Sequence, residues 1–329
     1  VFENNYGAGM YVLTDLGVNF YNYDDSIPQV QDDIFRLVNN ISINNARKIK
    51  FKGTKVYIIA QDYIVTSNVN TFENKGLIDG FNNISDIDFI SNDRLIVLDK
   101  GDSRIKIVDL GSMDITKNIE AGDSVNPMTV FSNSYKSFVL NGGGLSLNEK
   151  DTTIVVVQYR DDLVHLAEIV DVLHVGANPN SAVISGNLKV LSKGIYDPIN
   201  ISTNTESSLS DINQYNNQVY STDILSGIYN ATNLMSNYNN TLCYFTALGG
   251  VYTINTNSLN TNLVVNVNAS IINSVVHSYQ DTDSTIAFSE MLYMNDVDNP
   301  NLVYEYNMNL SSFTDTITCT GNIRDIEFY

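Results

Sequence analysis

The chain has 329 residues, and its 37 acidic side chains outnumber its 18 basic ones, which gives a formal net charge of −19 at pH 7. A protein needs clustered lysine and arginine to neutralise nucleic-acid phosphates, so this composition excludes a nucleic-acid partner. The longest apolar runs, such as Thr152–Val157, have the length of a strand and predict no membrane-spanning helix. Two cysteines and three histidines favour neither a disulfide framework nor a metal site, and we expect no cofactor.

The N-terminal segment predicts two strands, at Gly9–Leu16 and Val18–Tyr23, with no partner strand before them. After them one pattern recurs: a strand, a short turn, an apolar strand, a variable loop and a strand that ends in a polar turn. Ile84–Asp99 followed by Ile105–Leu110 is its clearest copy. The first strands of the copies begin near residues 47, 84, 126, 180, 233 and 272. Their mean spacing of about 45 residues is the length of one four-stranded β-propeller blade.

One segment within this pattern is ambiguous. Leu163–Leu173 shows some helical spacing, but its valine and isoleucine content suits a pair of strands equally well. Both interpretations stay open.

The two ends of the chain complete the count of blades. Asn322–Tyr329 predicts a first strand with nothing after it, which is the strand that the N-terminal segment lacks. Joining the ends removes an exposed sheet edge. We therefore predict an all-β fold with one domain over residues 1–329: a seven-bladed β-propeller whose N- and C-terminal strands share a blade. The alternative, an all-β sandwich, does not explain why each end lacks what the other supplies.

Two stretches in the middle of the chain carry a family resemblance. The first runs through Ile119–Val130 and Ser137–Gly144, and the second through Leu173–Val183 and Leu188–Gly194. They resemble the YncE-like, surface-layer-type seven-bladed propellers, which repeat a strand ending in V-G-x-x-P, a further strand, a turn and an L-Y-V strand. The V-G-x-x-P signature is missing from most of the other blades.

Two shorter motifs narrow the resemblance. The glycine-rich run after Asn141 and the sequence N-P-N-S at Asn178–Ser181 are similar to secreted lipoprotein propellers of Bacteroidota. That subgroup includes a surface cobamide-binding protein that works with an outer-membrane B12 transporter. Repeat signatures build blades and do not define a ligand, so the subgroup supplies an expectation only.

The resemblance implies an exported, monomeric, non-catalytic propeller in the periplasm or at the outer-membrane surface, tethered through a lost N-terminal anchor. Its expected role is to capture a small molecule, with a cobamide as the suggested ligand, for an outer-membrane transporter. One alternative is a protein–protein scaffold within an outer-membrane complex. A lactonase-type or dehydrogenase-type enzyme is a less favoured alternative, because histidine is scarce and no acidic cluster marks the channel mouth.

Candidate binding residues lie in the loops that enter the first strands and those that join second to third strands, because these loops share one face of a propeller. Long loops on a rigid frame tend to carry function, and the longest here are predicted at Gly142–Thr152, Lys193–Glu206 and Ser289–Asn299. The candidate ligand-binding residues are Arg47, Tyr63, Lys100, Arg104, Asn126, Asn180, Lys193, Tyr196 and Arg324.

For several of these residues a structural role competes with binding. Arg47 and Arg324 fall on neighbouring blades and suit a carboxylate or phosphate, but neutralisation by Asp86 and Asp325 is slightly favoured. Arg104 is expected to form a turn ion pair with Asp102. Asn126 and Asn180 flank prolines and first serve turn chemistry, and the loop that carries Lys193 and Tyr196 also suits a loop packed on itself.

The remaining chemistry-bearing residues predict no catalytic or metal site. The three histidines, at 165, 174 and 277, are expected on separate blades or outer strands. Cys243 and Cys319 lie in predicted strands of different blades and are expected to be buried free thiols. The carboxylates of Asp296–Pro300 lack the spacing and the glycine of a calcium loop.

Overall fold

A computed structural model describes residues 5–23, 28–120, 126–133, 135–144, 148–159, 167–280 and 286–329. The chain begins with a hairpin of β1 (Met10–Thr14) and β2 (Val18–Tyr21), and β3 (Val30–Gln31) pairs with β2. One short helix, α1 (Ile34–Asn39), follows them. The sequence pattern does not predict this helix, because six residues are too few to show a helical period.

The next strands form six antiparallel sheets of four strands each, arranged in chain order. Blade one consists of β4 (Lys48–Lys52), β5 (Lys55–Ile59), β6 (Ile64–Asn68) and β7 (Asn74–Ile78). Blade two consists of β8 (Ile84–Phe89), β9 (Arg94–Asp99), β10 (Arg104–Asp109) and β11 (Asp114–Glu120). Blade three consists of β12 (Pro127–Ser132), β13 (Lys136–Asn141), β14 (Thr153–Gln158) and β15 (Glu168–His174).

The second half of the chain continues the series. Blade four consists of β16 (Pro179–Ser185), β17 (Asn187–Ser192), β18 (Ser208–Asn213) and β19 (Gln218–Ile224), with a 3-10 turn at Ile201–Thr203. Blade five consists of β20 (Thr232–Ser236), β21 (Cys243–Ala247), β22 (Gly250–Ile254) and β23 (Thr261–Val265). Blade six consists of β24 (Ile272–Gln280), β25 (Ile286–Asn295), β26 (Leu302–Asn307) and β27 (Ser312–Thr318).

The last strand, β28 (Ile323–Phe328), closes the ring by pairing with β1. Beyond the paired strands, the backbones of Gly9 and Tyr329 exchange two hydrogen bonds of 3.1 and 3.2 Å. The seventh blade therefore has the order β28, β1, β2, β3, and the fold is the predicted seven-bladed β-propeller. The six observed first strands start at 48, 84, 127, 179, 232 and 272, each within one residue of its prediction.

The core lies between the blades. Side chains alternate along a strand, so successive residues of one strand face opposite neighbouring blades. In β5, Val56 and Ile58 pack toward blade seven, whereas Tyr57 and Ile59 pack toward blade two. Both faces of β5 are buried, which explains its continuous apolar sequence.

Side chains satisfy the open inner edges of the first strands. The carboxylate of Asp325 on β28 accepts the backbone N–H of Ile49 on β4 at 2.9 Å, and the hydroxyl of Ser181 on β16 accepts that of Leu234 on β20 at 2.9 Å. A buried N–H without a partner is costly, so these bonds stabilise the ring from one blade to the next.

Two sequence interpretations are resolved along the strands. The predicted loop at Ser289–Asn299 is wrong, because β25 runs to Asn295. Its polar Glu290 stays within the strand because the carboxylate accepts hydrogen bonds from the hydroxyl of Tyr244 at 2.8 Å and the backbone N–H of Tyr238 at 3.0 Å. In the ambiguous segment 163–173, residues 168–173 belong to β15, and residues 163–166 lie outside the described residues.

Of the other two long loops, the first has the predicted bounds and the second is one residue longer than predicted. Residues 142–152 connect β13 to β14, with 145–147 outside the described residues, and residues 193–207 connect β17 to β18. Residues 121–125 of the first resemblance stretch also lie outside the described part of the chain. In that part, no helix has the length and apolar character needed to cross a membrane.

Candidate functional site

A cavity of about 490 Å³ opens at the mouth of the central channel. Blades seven, one, two and three build it, from the first residues of β8, β12 and β28, the segment before β4, and the loops that join second to third strands in blades seven, one and two. This is the face on which the sequence analysis expected a ligand. The described residues that line the cavity are Asp15, Asn45, Ala46, Arg47, Gln61, Ile84, Ser85, Lys100, Met128 and Arg324.

Arg47 enters this cavity from the segment just before β4. Its Nη1 atom donates to the side-chain oxygen of Asn83 at 2.6 Å and to the carbonyl oxygen of Ile84 at 2.9 Å, both in blade two. The predicted neutralisation of Arg47 by Asp86 is wrong, because Asp86 pairs with Lys48 at 2.8 Å. Lys48, the next residue along the chain, pairs with this carboxylate instead. Asp86 therefore does not neutralise the guanidinium of Arg47, which lines the cavity.

A buried ion network fixes the loops of blade two beside Arg47. The carboxylate of Asp99 is fully buried, and it accepts the backbone N–H groups of Asn82 and Asn83 at 2.8 Å each. The same carboxylate pairs with Lys106 at 2.7 Å. Burial raises the pKa of Asp99, but these hydrogen bonds outweigh burial and hold its pKa below the usual value.

The network also corrects the predicted turn ion pair. Asp102 pairs with Lys106 at 2.9 Å, not with Arg104. Burial by itself favours a lower pKa for Lys106, but its bonds to Asp99 and Asp102 have the larger effect, so the pKa of Lys106 is higher than usual. Arg104 begins β10, and it is not among the described residues that line the cavity.

The other two cations of the cavity have no ion-pair partner among the described residues. The side chain of Arg324 is exposed, and that of Lys100 is half-buried. The predicted neutralisation of Arg324 by Asp325 is wrong, because Asp325 turns to blade one and accepts the N–H of Ile49.

The only carboxylate among the described lining residues, that of Asp15, is already engaged. Its two oxygens accept the backbone N–H and the side-chain amide of Asn322, each at 2.7 Å. The Asp15 carboxylate therefore links the β1–β2 loop to the residue that precedes β28, at the rim of the cavity.

The remaining candidates near the mouth have structural contacts. The hydroxyl of Tyr63 accepts the backbone N–H of Asn44 at 3.0 Å and so holds the segment before Arg47. Asn126 is exposed at the start of blade three, and the amide of Asn180 donates to the carbonyl of Ala231 at 2.9 Å.

Lys193 and Tyr196 are half-buried in a loop that packs on itself and does not reach the cavity. The N–H of Ile195 bonds the hydroxyl of Thr205 at 2.9 Å, and that of Asp197 bonds the side chain of Asn204 at 2.7 Å. Burial lowers the pKa of Lys193. The structure thus brings three of the nine candidates together: Arg47, Lys100 and Arg324.

Seven of the ten described lining residues are not among the nine candidates: Asp15, Asn45, Ala46, Gln61, Ile84, Ser85 and Met128. A usable signal existed for three of them. Ser85 and Met128 lie one residue after the start of their first strands, at positions equivalent to each other, and Gln61 precedes the candidate Tyr63 in its loop.

The first strands of blades seven, one and two carry charged side chains at alternate positions. These side chains are Asp325 and Glu327 on β28, Lys48 and Lys50 on β4, and Asp86 and Asp88 on β8. Burial raises the pKa of Glu327 to about 8, and Asp325 acts in the same direction. Burial by itself favours a higher pKa for Asp86, but the positive charges of Lys48 and Lys50 have the larger effect, so the pKa of Asp86 is lower than usual.

The described residues offer no group of three or more histidine, cysteine or acidic side chains arranged to hold a metal ion. Asp296 is occupied by the amide of Asn299 at 2.7 Å and the hydroxyl of Tyr304 at 3.2 Å. Cys243 and Cys319 are buried, unpaired thiols, as predicted. His277 lies on an inner strand and His174 at the end of an outer one, and residue 165 is outside the described part.

Comparison with known proteins identifies the fold. No family model and no curated protein matches the chain. A quinonprotein alcohol dehydrogenase-like protein from Bacteroides thetaiotaomicron has a TM-score of 0.66 at 13% identity, over 98% of this chain and 79% of its own. A protein from Bacteroides fragilis, named as a candidate 6-phosphogluconolactonase, has a TM-score of 0.66 at 9% identity, over 98% of both chains.

A third similar structure is AztD from Citrobacter koseri, with a TM-score of 0.58 at 8% identity over 96% of both chains. At such identities the similarity shows the propeller fold alone. Propellers from Bacteroides are among the matches, and the resemblance to the YncE-like and cobamide-binding subgroups stays a prediction.

Proposed function

We propose that this protein is a non-catalytic binding propeller that captures a small molecule at the mouth of its channel. The observation that carries the proposal is the cavity of about 490 Å³ to which four blades contribute residues. Small-molecule sites are typically concave and about 300–1,000 Å³ in volume, with a few convergent polar groups. The cavity fits this description.

The chemistry of the lining supports binding without catalysis. The described lining residues include neither a histidine nor a cysteine, and their one carboxylate is held by Asn322. A nucleophile needs a neighbouring group that activates it, and a general base must lie within hydrogen-bond reach of the proton that it removes. Arginine and lysine instead suit the recognition of a bound group.

We propose further that the protein acts outside the cytoplasm and presents its ligand to an outer-membrane transporter. The support is the resemblance of residues 119–194 to secreted lipoprotein propellers. A cobamide is therefore the first ligand to test. Co-purification of a transporter after gentle detergent extraction of the native envelope tests this step, and recovery of the protein from the cytoplasmic fraction alone contradicts it.

Thermal unfolding tests the capture of a ligand. A compound that binds only the folded state raises the melting temperature, so a cobamide and a panel of charged and neutral small molecules are screened at high concentration. Gln61→Trp, which fills the cavity, is expected to abolish the shift. Gln218→Trp on the exposed outer strand of blade four is the matched control and keeps it. A shift of equal size in both variants contradicts binding at the mouth.

A further inference from the structure

The charge of this cavity is opposite to that of the molecule as a whole. The chain as a whole carries −19, yet Arg47, Lys100 and Arg324 converge from blades one, two and seven onto one opening. We propose that the captured ligand carries two negative charges, as a phosphate monoester or a pair of carboxylates, and that these three cations bind it. This inference rests on the proposed function and adds the chemical class of the ligand.

The carboxylates of Asp86, Asp99 and Asp325 are held by other groups and form no ion pair with the three cations. Asp86 pairs with Lys48, and Asp99 with Lys106, in both cases with the carboxylate buried. Asp325 accepts a backbone N–H from blade one. Uncompensated cations in one cavity of an acidic protein produce a local positive potential that attracts anions.

Arg47 is also oriented before any ligand arrives. Both of its anchoring bonds leave from the same terminal nitrogen, Nη1, toward Asn83 and Ile84. A guanidinium has five N–H donors, so Nε and Nη2 retain theirs. Such a planar donor edge suits the two oxygens of a carboxylate or phosphate.

The charge balance points to a dianion. The three cations contribute three positive charges and Asp15 one negative charge, which leaves +2 on the described lining. A ligand with two negative charges neutralises this, whereas a monoanion leaves a positive charge and a neutral ligand leaves two. Phosphate and dicarboxylate groups share the required oxyanion chemistry, and the experiment separates them.

Isothermal titration at pH 7.5 compares glycerol 2-phosphate, succinate, acetate and glycerol. Phosphate monoesters are close to dianions at this pH, since their second pKa is about 6. We expect at least one dianion to bind the wild type about tenfold or more tightly than acetate, and glycerol not to bind. Tighter binding of glycerol 2-phosphate than of succinate indicates a phosphate site, and the reverse order indicates a dicarboxylate site. The affinity should fall as salt is added.

Variants link this binding to the three cations. Arg324→Gln and Lys100→Gln are each expected to weaken dianion binding about tenfold, because each removes a charge-assisted hydrogen bond. Lys55→Gln removes an exposed lysine at the start of β5, outside the cavity, and should leave the affinity unchanged. Both cavity side chains lack a described ion-pair partner, so we expect these variants to fold.

Two results overturn the inference: neither dianion binds more tightly than acetate, or a double variant that combines Arg324→Gln with Lys100→Gln binds the dianion as well as the wild type. The proposed function is judged separately. If a neutral compound or a cobamide stabilises the protein and Gln61→Trp abolishes that shift, capture at the mouth stands while the dianion inference fails. If Gln61→Trp leaves every shift unchanged, the proposed site itself fails.

Discussion

Arg47 and Asn83 join blades one and two at the channel mouth through a hydrogen bond of 2.6 Å between the guanidinium and the side-chain oxygen. Asn83 is in turn fixed by Asp99, which accepts its backbone N–H at 2.8 Å. A buried carboxylate in the body of blade two thus sets the position of a cation at the candidate site. Binding groups are more effective when neighbouring residues hold them in place.

Asn83→Ala is predicted to weaken dianion binding with little loss of stability. Arg47 would keep only its bond to the carbonyl of Ile84, and its guanidinium would sample more orientations. We expect an affinity loss of about three- to tenfold by titration calorimetry. Asn82→Ala is the matched control, because the Asn82 side chain is exposed. Equal affinities for the two variants would contradict a positioning role for Asn83.

Asp99→Asn is predicted to destabilise the fold by about 3 kcal/mol, because it breaks a buried ion pair and leaves Lys106 partly uncompensated. The pKa of Asp99 is lowered in the folded state, so its stabilisation is present above the usual carboxyl pKa and is lost as the pH falls through the lower, folded value. Urea unfolding should therefore show wild type and variant converging at acidic pH. Asp114→Asn, at an exposed position of the same blade, should cost little at any pH.

The recurring order of strands and turns was sufficient to predict the blades. Each of the six first strands begins within one residue of its prediction, because the second strand that follows it is buried on both faces and shows an apolar run that marks each repeat. The repeat also placed Arg47 and Arg324 on neighbouring blades. The partners of charged groups were not predictable, since a shift of a single residue decides whether Arg47 or Lys48 meets Asp86. Glu290 was misassigned to a loop because one of its partners, Tyr244, is distant in sequence.

Glu327→Gln is predicted to stabilise the protein at alkaline pH. Burial raises the pKa of Glu327 from 4.5 to about 8, so the folded chain holds a proton that the unfolded chain loses, and stability falls as the pH rises through this window. Glutamine removes that loss. The melting temperatures of variant and wild type should agree at about pH 4 and diverge towards pH 9, with the variant higher.

The control for this pH series is Glu120→Gln, which changes an exposed carboxylate at the end of β11. Its melting temperature should follow the wild type at every pH. If Glu327→Gln also follows the wild type up to pH 9, then folding does not raise the pKa of Glu327, and the prediction is wrong.

Deleting residues 322–329 is predicted to open the ring. The deletion removes β28, exposes the edge of β1, and takes Ile323 and Ile326 from the core between blades six and seven. Exposed edges promote aggregation, so the truncated chain should unfold at a lower temperature and self-associate in light scattering. Adding the peptide 322–329 in excess should restore the melting temperature, because it can pair with β1 as the native strand does. A scrambled peptide of the same composition is the control. Equal stability of the truncated and full-length chains would show that closure by the two ends does not stabilise the propeller.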